Sequence, residues 1–189
     1  NGDHGLEDVP EYTLIEYAYY KMALAAGINM NECRIYSNAG ENHFMTKRFD
    51  RTRGKKIHMQ SLGAIAHISY KEPALCSYEM AAQYMRELKL SMKEIEQFYS
   101  RMVFNCLAVN QDDHVKNISF LMNRSGEWSL APAYDITFSY NPTNKWLRAH
   151  QMSINQKTRD IQLMDMLEVG KKMGIRKRKC MEIISRISK

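Results

Sequence analysis

Residues 110–121 read NQDDHVKNISFL and residues 130–136 read LAPAYDI. Ile118 to Met122 and Trp128 to Leu130 are short apolar segments, and Asn123, Arg124, Ser125 and Gly126 between them supply turn chemistry. The pattern predicts a β-hairpin. A crowded polar string enters that hairpin, and a single carboxylate, Asp135, follows its second strand. Because a hairpin brings the outer ends of its strands together, Asn117 and Asp135 are expected to be neighbours in space. Asp112 and Asp113 are adjacent in sequence. Two carboxylates buried about 4 Å apart repel by about 4 kcal/mol at an effective dielectric near 20, so a cation is expected beside them.

Asn117 lies five residues after Asp112, the spacing at which protein kinases hold a catalytic aspartate and a metal-binding asparagine. The chemistry explains the residue types. An aspartate accepts or orients the proton of an attacking hydroxyl, and an asparagine carbonyl one short turn away offers a hard oxygen to Mg²⁺. Asp135 stands where kinases carry the second metal-binding carboxylate.

Outward from this segment the sequence is mostly helical. EYTLIEYAYYKMALAA, residues 11–26, predicts a helix with Leu14, Ala18, Met22 and Ala25 on one face, Asp8 and Pro10 at its start and Gly27 at its end. Two strands follow, from Cys33 to Ser37 and from His43 to Arg48, around the turn residues 38–42. From residue 57 to Val109 helices are expected, one capped by Ser77, the next opened by the capping-box pair Ser91 and Glu94 with Ile95, Phe98, Met102 and Cys106 on one face. Helical spacing returns from Thr158 to Met173 and from Arg176 to Ile187.

Composition narrows the class. With 189 residues, 44% hydrophobic and 25% charged, the chain has the make-up of an ordinary globular domain. No run approaches the roughly 20 apolar residues of a membrane span, and residues 1–10 lack the pattern of a signal peptide. Cys33, Cys76, Cys106 and Cys180 are too scattered for a zinc ribbon and read as reduced cytosolic thiols. The net charge of +6 includes the clusters RTRGKK (residues 51–56) and RKRK (residues 176–179), read as solvated surface without a nucleic-acid recognition motif. His43, His58, His67 and His150 have no local partners for zinc, and the fourteen methionines fall at core-like helical positions.

NQDDHVKNISFL, LAPAYDI and the upstream TKRFDR (residues 46–51) together resemble the HipA kinase family, over about residues 11–174. The order of Asp112, His114 and Asn117 also resembles the catalytic loop of phosphatidylinositol-3-kinase-like enzymes, although lipid kinase activity ranks low without a membrane-anchoring feature. The resemblance implies an α+β, mostly helical fold. It would consist of a partial kinase N-lobe and hinge over residues 1–50, a helix and two strands, and a helical catalytic C-lobe with the active-site hairpin over residues 51–189. It further implies a bacterial, cytoplasmic Ser/Thr protein kinase using ATP and Mg²⁺, with a protein substrate and a DNA-binding antitoxin as partner, and no direct sequence-specific contact with nucleic acid. Asp112 would be the catalytic base, with His114 and Lys116 supporting it, and Asn117 and Asp135 the metal ligands. Lys47 and Phe49 would meet adenine, Asp50 would approach the ribose, and Glu16 would pair with a nucleotide-binding lysine. No Gly-rich phosphate loop occurs in the chain, so a piece of a longer kinase is expected, the alternative being a nucleotide- or partner-binding pseudokinase. In the downstream string HQMSIN (residues 150–155), which also resembles the family, the following residue is Gln156 where a glycine is expected.

Overall fold

The computed structural model describes residues 12–52 and 54–189. Helix α1 covers Tyr12–Ala25, and the start expected at Asp8, Pro10 and Glu11 lies outside the described residues. Its buried face differs from the predicted one. Tyr20 and Ala23 are buried, while Leu14 and Met22 are each 46% exposed. The small side chains of Ala23 and Ala26 allow the helix and its exit at Ile28 to close on Phe104, Ala133 and Ile136, which an approach through the bulky Leu14 and Met22 would prevent.

Strands β1 (Cys33–Asn38) and β2 (Glu41–Thr46) pair antiparallel, with Asn38 opposite Glu41. The loop between them is only Ala39 and Gly40, both at positive φ (51° and 86°), the two-residue geometry that matches strand twist. The basic cluster folds back on itself: β3 (Arg51–Thr52) pairs with β4 (Lys55–Lys56).

The predicted hairpin is part of a larger sheet. β6 (Ser119–Met122) pairs with β7 (Trp128–Leu130) as predicted, and β5 (His58–Ser61) adds on the other edge of β6, giving the order β5-β6-β7. This strand corrects the expectation of helix directly after the basic loop. Its sequence HMQS is largely exposed and has no strand signature of its own, so only the register with β6, from His58 opposite Met122 to Ser61 opposite Ser119, defines it.

Helix α2 (Leu62–Ala66) follows at once, capped by the Ser61 hydroxyl. Its first amides bond to the segment before β6, the Leu62 N–H donating to the Ile118 carbonyl (2.8 Å) and the Gly63 N–H to the Val115 carbonyl (3.1 Å). Helix α3 (Tyr78–Glu87) starts at the predicted cap Ser77, and α4 (Met92–Leu107) carries the predicted Ser91–Glu94 capping box. Ile95, Phe98 and Met102 of α4 sit at the centre of the main core, and Cys106 is partly buried against it. Helix α5 (Leu163–Lys172) begins later than the sequence suggested, because Asp165 caps it by accepting from the Gln162 N–H (2.9 Å) while also binding Lys157 Nζ (2.8 Å). Helix α6 (Lys177–Ile187) closes the chain against α4 and α5.

Gly63 is where backbone approaches backbone. A Cβ there would lie 2.9 Å from both the Ile68 carbonyl oxygen and Val115 Cγ2, so Gly63→Ala is expected to cost about 1–3 kcal/mol in chemical denaturation. Asn155 and Gln156 form another two-residue turn, at φ 48° and 67°, closed by hydrogen bonds between Ile154 and Lys157 in both directions (2.8 and 3.0 Å). A glycine at 156 would relieve that left-handed backbone, so Gln156→Gly should stabilise the fold by about 1 kcal/mol, read as a rise in melting temperature of about 2–4 °C.

Candidate active site

The catalytic-loop string lies at the exit of α4, where Val109 takes a left-handed backbone (φ 55°) that β-branched residues rarely adopt. The chain then pairs with the segment beyond the hairpin: the Gln111 N–H donates to the Ser139 carbonyl (3.0 Å) and the Ser139 N–H to the Val109 carbonyl (3.1 Å). Tyr134 ties the hairpin's outgoing end to the same loop. Its hydroxyl donates to the Lys116 carbonyl and shares a hydrogen bond with Ser119 Oγ, each at 2.5 Å. These links bring Asn117 and Asp135 to one small cavity of about 20 Å³, room for a single water or ion. Asp135 is itself left-handed (φ 56°), a conformation aspartate tolerates better than most residues.

The two adjacent aspartates are handled differently. Asp113 is buried at 3% exposure and accepts from the Tyr78 hydroxyl (2.8 Å), the Gln151 N–H (2.7 Å) and His150 Nδ1 (2.9 Å). His150 is thus the basic partner of Asp113 alone, because the two carboxylates are not buried together. Burial alone would lower the His150 pKa, but the charge and hydrogen bond of Asp113, helped by Cys106, raise it to about 10. Asparagines extend the network: Asn105 donates to the Tyr78 oxygen (3.0 Å), and Asn110 donates to Asn105 Oδ1 (3.0 Å). Asp112 instead keeps 40% of its side chain exposed and borders a cleft of about 660 Å³ that Glu16 also lines.

Asn117 spends its amide nitrogen on the Asp112 carbonyl (2.9 Å), which leaves its amide oxygen as the group it can offer the cavity. Asn110 Oδ1 lines the same cavity and is buried without a partner among the described residues. These hard oxygens suit Mg²⁺. Among the described residues no group of three or more His, Cys, Asp and Glu is arranged to hold a metal, so an ion at Asn117 and Asp135 needs further oxygens from a ligand such as a nucleotide phosphate. Arg101 is the cationic wall. It is 5% exposed, donates from Nη2 to the Ala131 carbonyl (2.6 Å), and keeps Nε and Nη1 without partners among the described residues. Burial lowers its pKa to about 10.

Supporting residues sit close by. His114 Nε2 is 3.9 Å from Asp112 Oδ1, its ring packs edge-on to Tyr70, and Lys116 Nζ lies 3.7 Å from the centre of that same Tyr70 ring. Phe49 reaches the site from the linker by packing on Tyr134 (ring centres 5.4 Å apart). Lys47 is exposed, and its backbone bonds to Glu32 and Asn31 hold the linker to the β1 entry. Asp50 is buried at 7% and taken by Arg48 in a two-point contact (2.7 and 2.6 Å) and by Arg51, which hold its pKa below the usual range despite burial. A ribose hydroxyl reaching Asp50 has to share it with those arginines. Glu16 makes no ion pair with Lys or Arg among the described residues, and burial together with the charge of Asp135 raises its pKa.

Sequence reasoning missed Arg101 and His150. Arg101 had a signal, a charged residue three positions after Phe98 on the core-facing side of α4. His150 had none locally, because Asp113 lies 37 residues away.

Among the described residues, six helices and small antiparallel sheets make up a mixed α+β fold of the protein-kinase-like kind. The chain belongs to the HipA-like C-terminal domain family, which it matches over residues 3–189. Its structure resembles HipA of Shewanella oneidensis, solved in a toxin–antitoxin complex with HipB and operator DNA (TM-score 0.79, 18% identity, 99% of this chain and 47% of that one). It also resembles the Helicobacter pylori proinflammatory kinase CtkA (TM-score 0.61, 14% identity, 93% and 75% covered). In sequence it is 27% identical over 143 residues to a Haemophilus influenzae protein described as "Putative kinase". A Sinorhizobium fredii protein of similar description is 27% identical over 133 residues. The chain spans 42% and 29% of the lengths of these two relatives.

The Asp113–His150 pair gives a direct test. Replacing one member leaves a buried charge alone, so His150→Gln should cost about 3–5 kcal/mol. His150 titrates near 6.5 when unfolded and near 10 when folded, so the pair's contribution is complete below about pH 6.5 and is lost as pH rises through about 10. Urea titrations should show the gap between wild type and variant closing over that range.

Proposed function

We propose that this chain is the catalytic lobe of a protein kinase that transfers the γ-phosphoryl group of ATP to a serine or threonine hydroxyl. The observation that carries the reading is the shared cavity of Asn117 and Asp135 beside a cleft onto which Asp112 opens, the two joined by the hydrogen bond from the Asn117 amide to the Asp112 carbonyl. In this reading Asp112 orients the acceptor hydroxyl and receives its proton, while Asn117 and Asp135 hold Mg²⁺. When bound, the metal supplies charge neutralisation at the transferring phosphoryl group. Arg101 offers its unpartnered N–H groups to the anionic side of the cavity, and Lys116 and His114 steady the loop against Tyr70. Adenine would lie by the backbone of Lys47 and Phe49, with Asp50 near the ribose, and the division into lobes would fall near Phe49.

Glu16 supports the same assignment, because a carboxyl whose pKa is raised by burial and by the charge of Asp135 is suited to receive a cation. Family membership suggests more: a bacterial, cytoplasmic toxin kinase with a DNA-binding antitoxin as partner, as in the Shewanella complex. No helix among the described residues is long and apolar enough to cross a membrane.

The test is phosphotransfer by the full-length protein. Asp112→Asn should lower kcat by about 10²–10⁴-fold with ATP binding little changed, since only the proton acceptor is lost. Asp135→Asn keeps a residue that tolerates the left-handed backbone and should weaken Mg²⁺-dependent nucleotide binding, read by calorimetry. Near-normal transfer by either variant would overturn the assignment.

A further inference from the structure

Residues 144–151 form a strap with a concavity on either side. On one side is the cleft onto which Asp112 opens, lined also by Tyr70, Phe138, Trp146 and Leu147. On the other is a separate pocket of about 410 Å³ lined by Lys145, Arg148 and Arg159, and Gln151 borders both. The strap is internally bonded. Asn141 Oδ1 accepts from the Thr143 and Asn144 amides (3.0 and 3.2 Å), Asn144 Oδ1 from the Trp146 amide (2.8 Å), and the Gln151 side chain donates to the Trp146 and Ala149 carbonyls.

The two sides differ in chemistry. Phe138 is 44% exposed beside the cleft, so an apolar side chain has surface to cover there. His114 and Thr137 add polar side chains to the lining of the cleft. The second pocket is lined by Lys145, Arg148, Arg159 and the Asp113-bound His150, with no acidic side chain in its lining, and Lys145, Arg148 and Arg159 make no ion pair among the described residues. Lys145 Nζ rests 4.7 Å from the centre of the Trp146 ring, which links the cationic side to the aromatic one. Like charges gathered around one concavity repel until an anion enters it.

We propose that the acceptor protein lies across this strap, with an apolar side chain against Phe138 and Trp146 and an acidic residue in the pocket of Lys145, Arg148 and Arg159. The kinase would therefore select hydroxyls in segments that combine an apolar and an acidic neighbour. The inference rests on the proposed function for the identity of the acceptor, but the docking pocket can be tested without phosphoryl transfer.

Fluorescence anisotropy on the full-length protein would compare labelled serine peptides with one apolar neighbour that differ only in Glu against Gln, scanned over the positions flanking the serine. At one or more spacings the Glu peptide is expected to bind at least tenfold more tightly. Arg148→Glu combined with Arg159→Glu should bring that ratio to about one or invert it, and Arg178→Glu on α6 should leave it unchanged. The ratio of kcat/KM for the same peptide pairs should follow the binding ratio. Equal binding of the Glu and Gln peptides at every spacing, or a preference that survives the double reversal, overturns the pocket. Binding of labelled RNA or duplex DNA that the double reversal abolishes, with no Glu preference among peptides, overturns it in favour of a nucleic-acid phosphate. If acidic peptides bind through Arg148 and Arg159 while no protein or peptide is phosphorylated in an Asp112-dependent manner, the docking site stands and the kinase reading falls.

Discussion

The buried carboxylate of Asp113 is the constraint on which the candidate active site depends. A carboxylate removed from water at the mouth of a catalytic loop is tolerable only if hydrogen-bond donors converge on it. Here they come from α3 through Tyr78, and from residues 150 and 151. Three stretches of chain are thereby fixed to one another at a single acidic group, and the loop that leaves it has little freedom. Asn110 and Asn105 carry the same network back to α4, so the helix exit and the loop are one hydrogen-bonded unit.

Against that anchor, the exposed groups divide the work. Consecutive side chains of an extended segment point to opposite sides, and so Asp113 turns inward while Asp112 borders the cleft. On the hairpin side Tyr134 fixes the backbone before Asp135, and Phe49 brings the linker against the same ring. Burial, together with the charge of Asp135, raises the Glu16 pKa, and a cation arriving there would be favoured. Arg101, which lines one cavity with Asp135, favours an anion. In the proposed reading, metal and phosphate arriving together would satisfy both demands.

Local chemistry was legible in the sequence wherever it was encoded within a few residues. Ser77 and the Ser91–Glu94 pair marked their helix starts, and residues 123–126 marked the hairpin turn. The adjacency of Asn117 and Asp135 followed from the hairpin alone. What escaped was non-local. Strand β5 exists because β6, some 60 residues later, offers it an edge. His150 is defined by Asp113, and the buried face of α1 is set by the shapes of Phe104, Ala133 and Ile136. The start of α5 moved because Asp165 prefers Lys157 and the Gln162 amide to a longer helix. Gln156, which stands where the family resemblance led to a glycine being expected, has a left-handed backbone.

The distance along the chain between Asp113 and its partner His150 also has a meaning in time. Polypeptide is made from the N-terminus, and 37 residues take about 2–7 s at typical rates of synthesis. Until residue 150 has been made, the carboxylate of Asp113 lacks that partner. The loop that carries Asp112 is thus completed late, after every residue with a proposed part in phosphoryl transfer has been made.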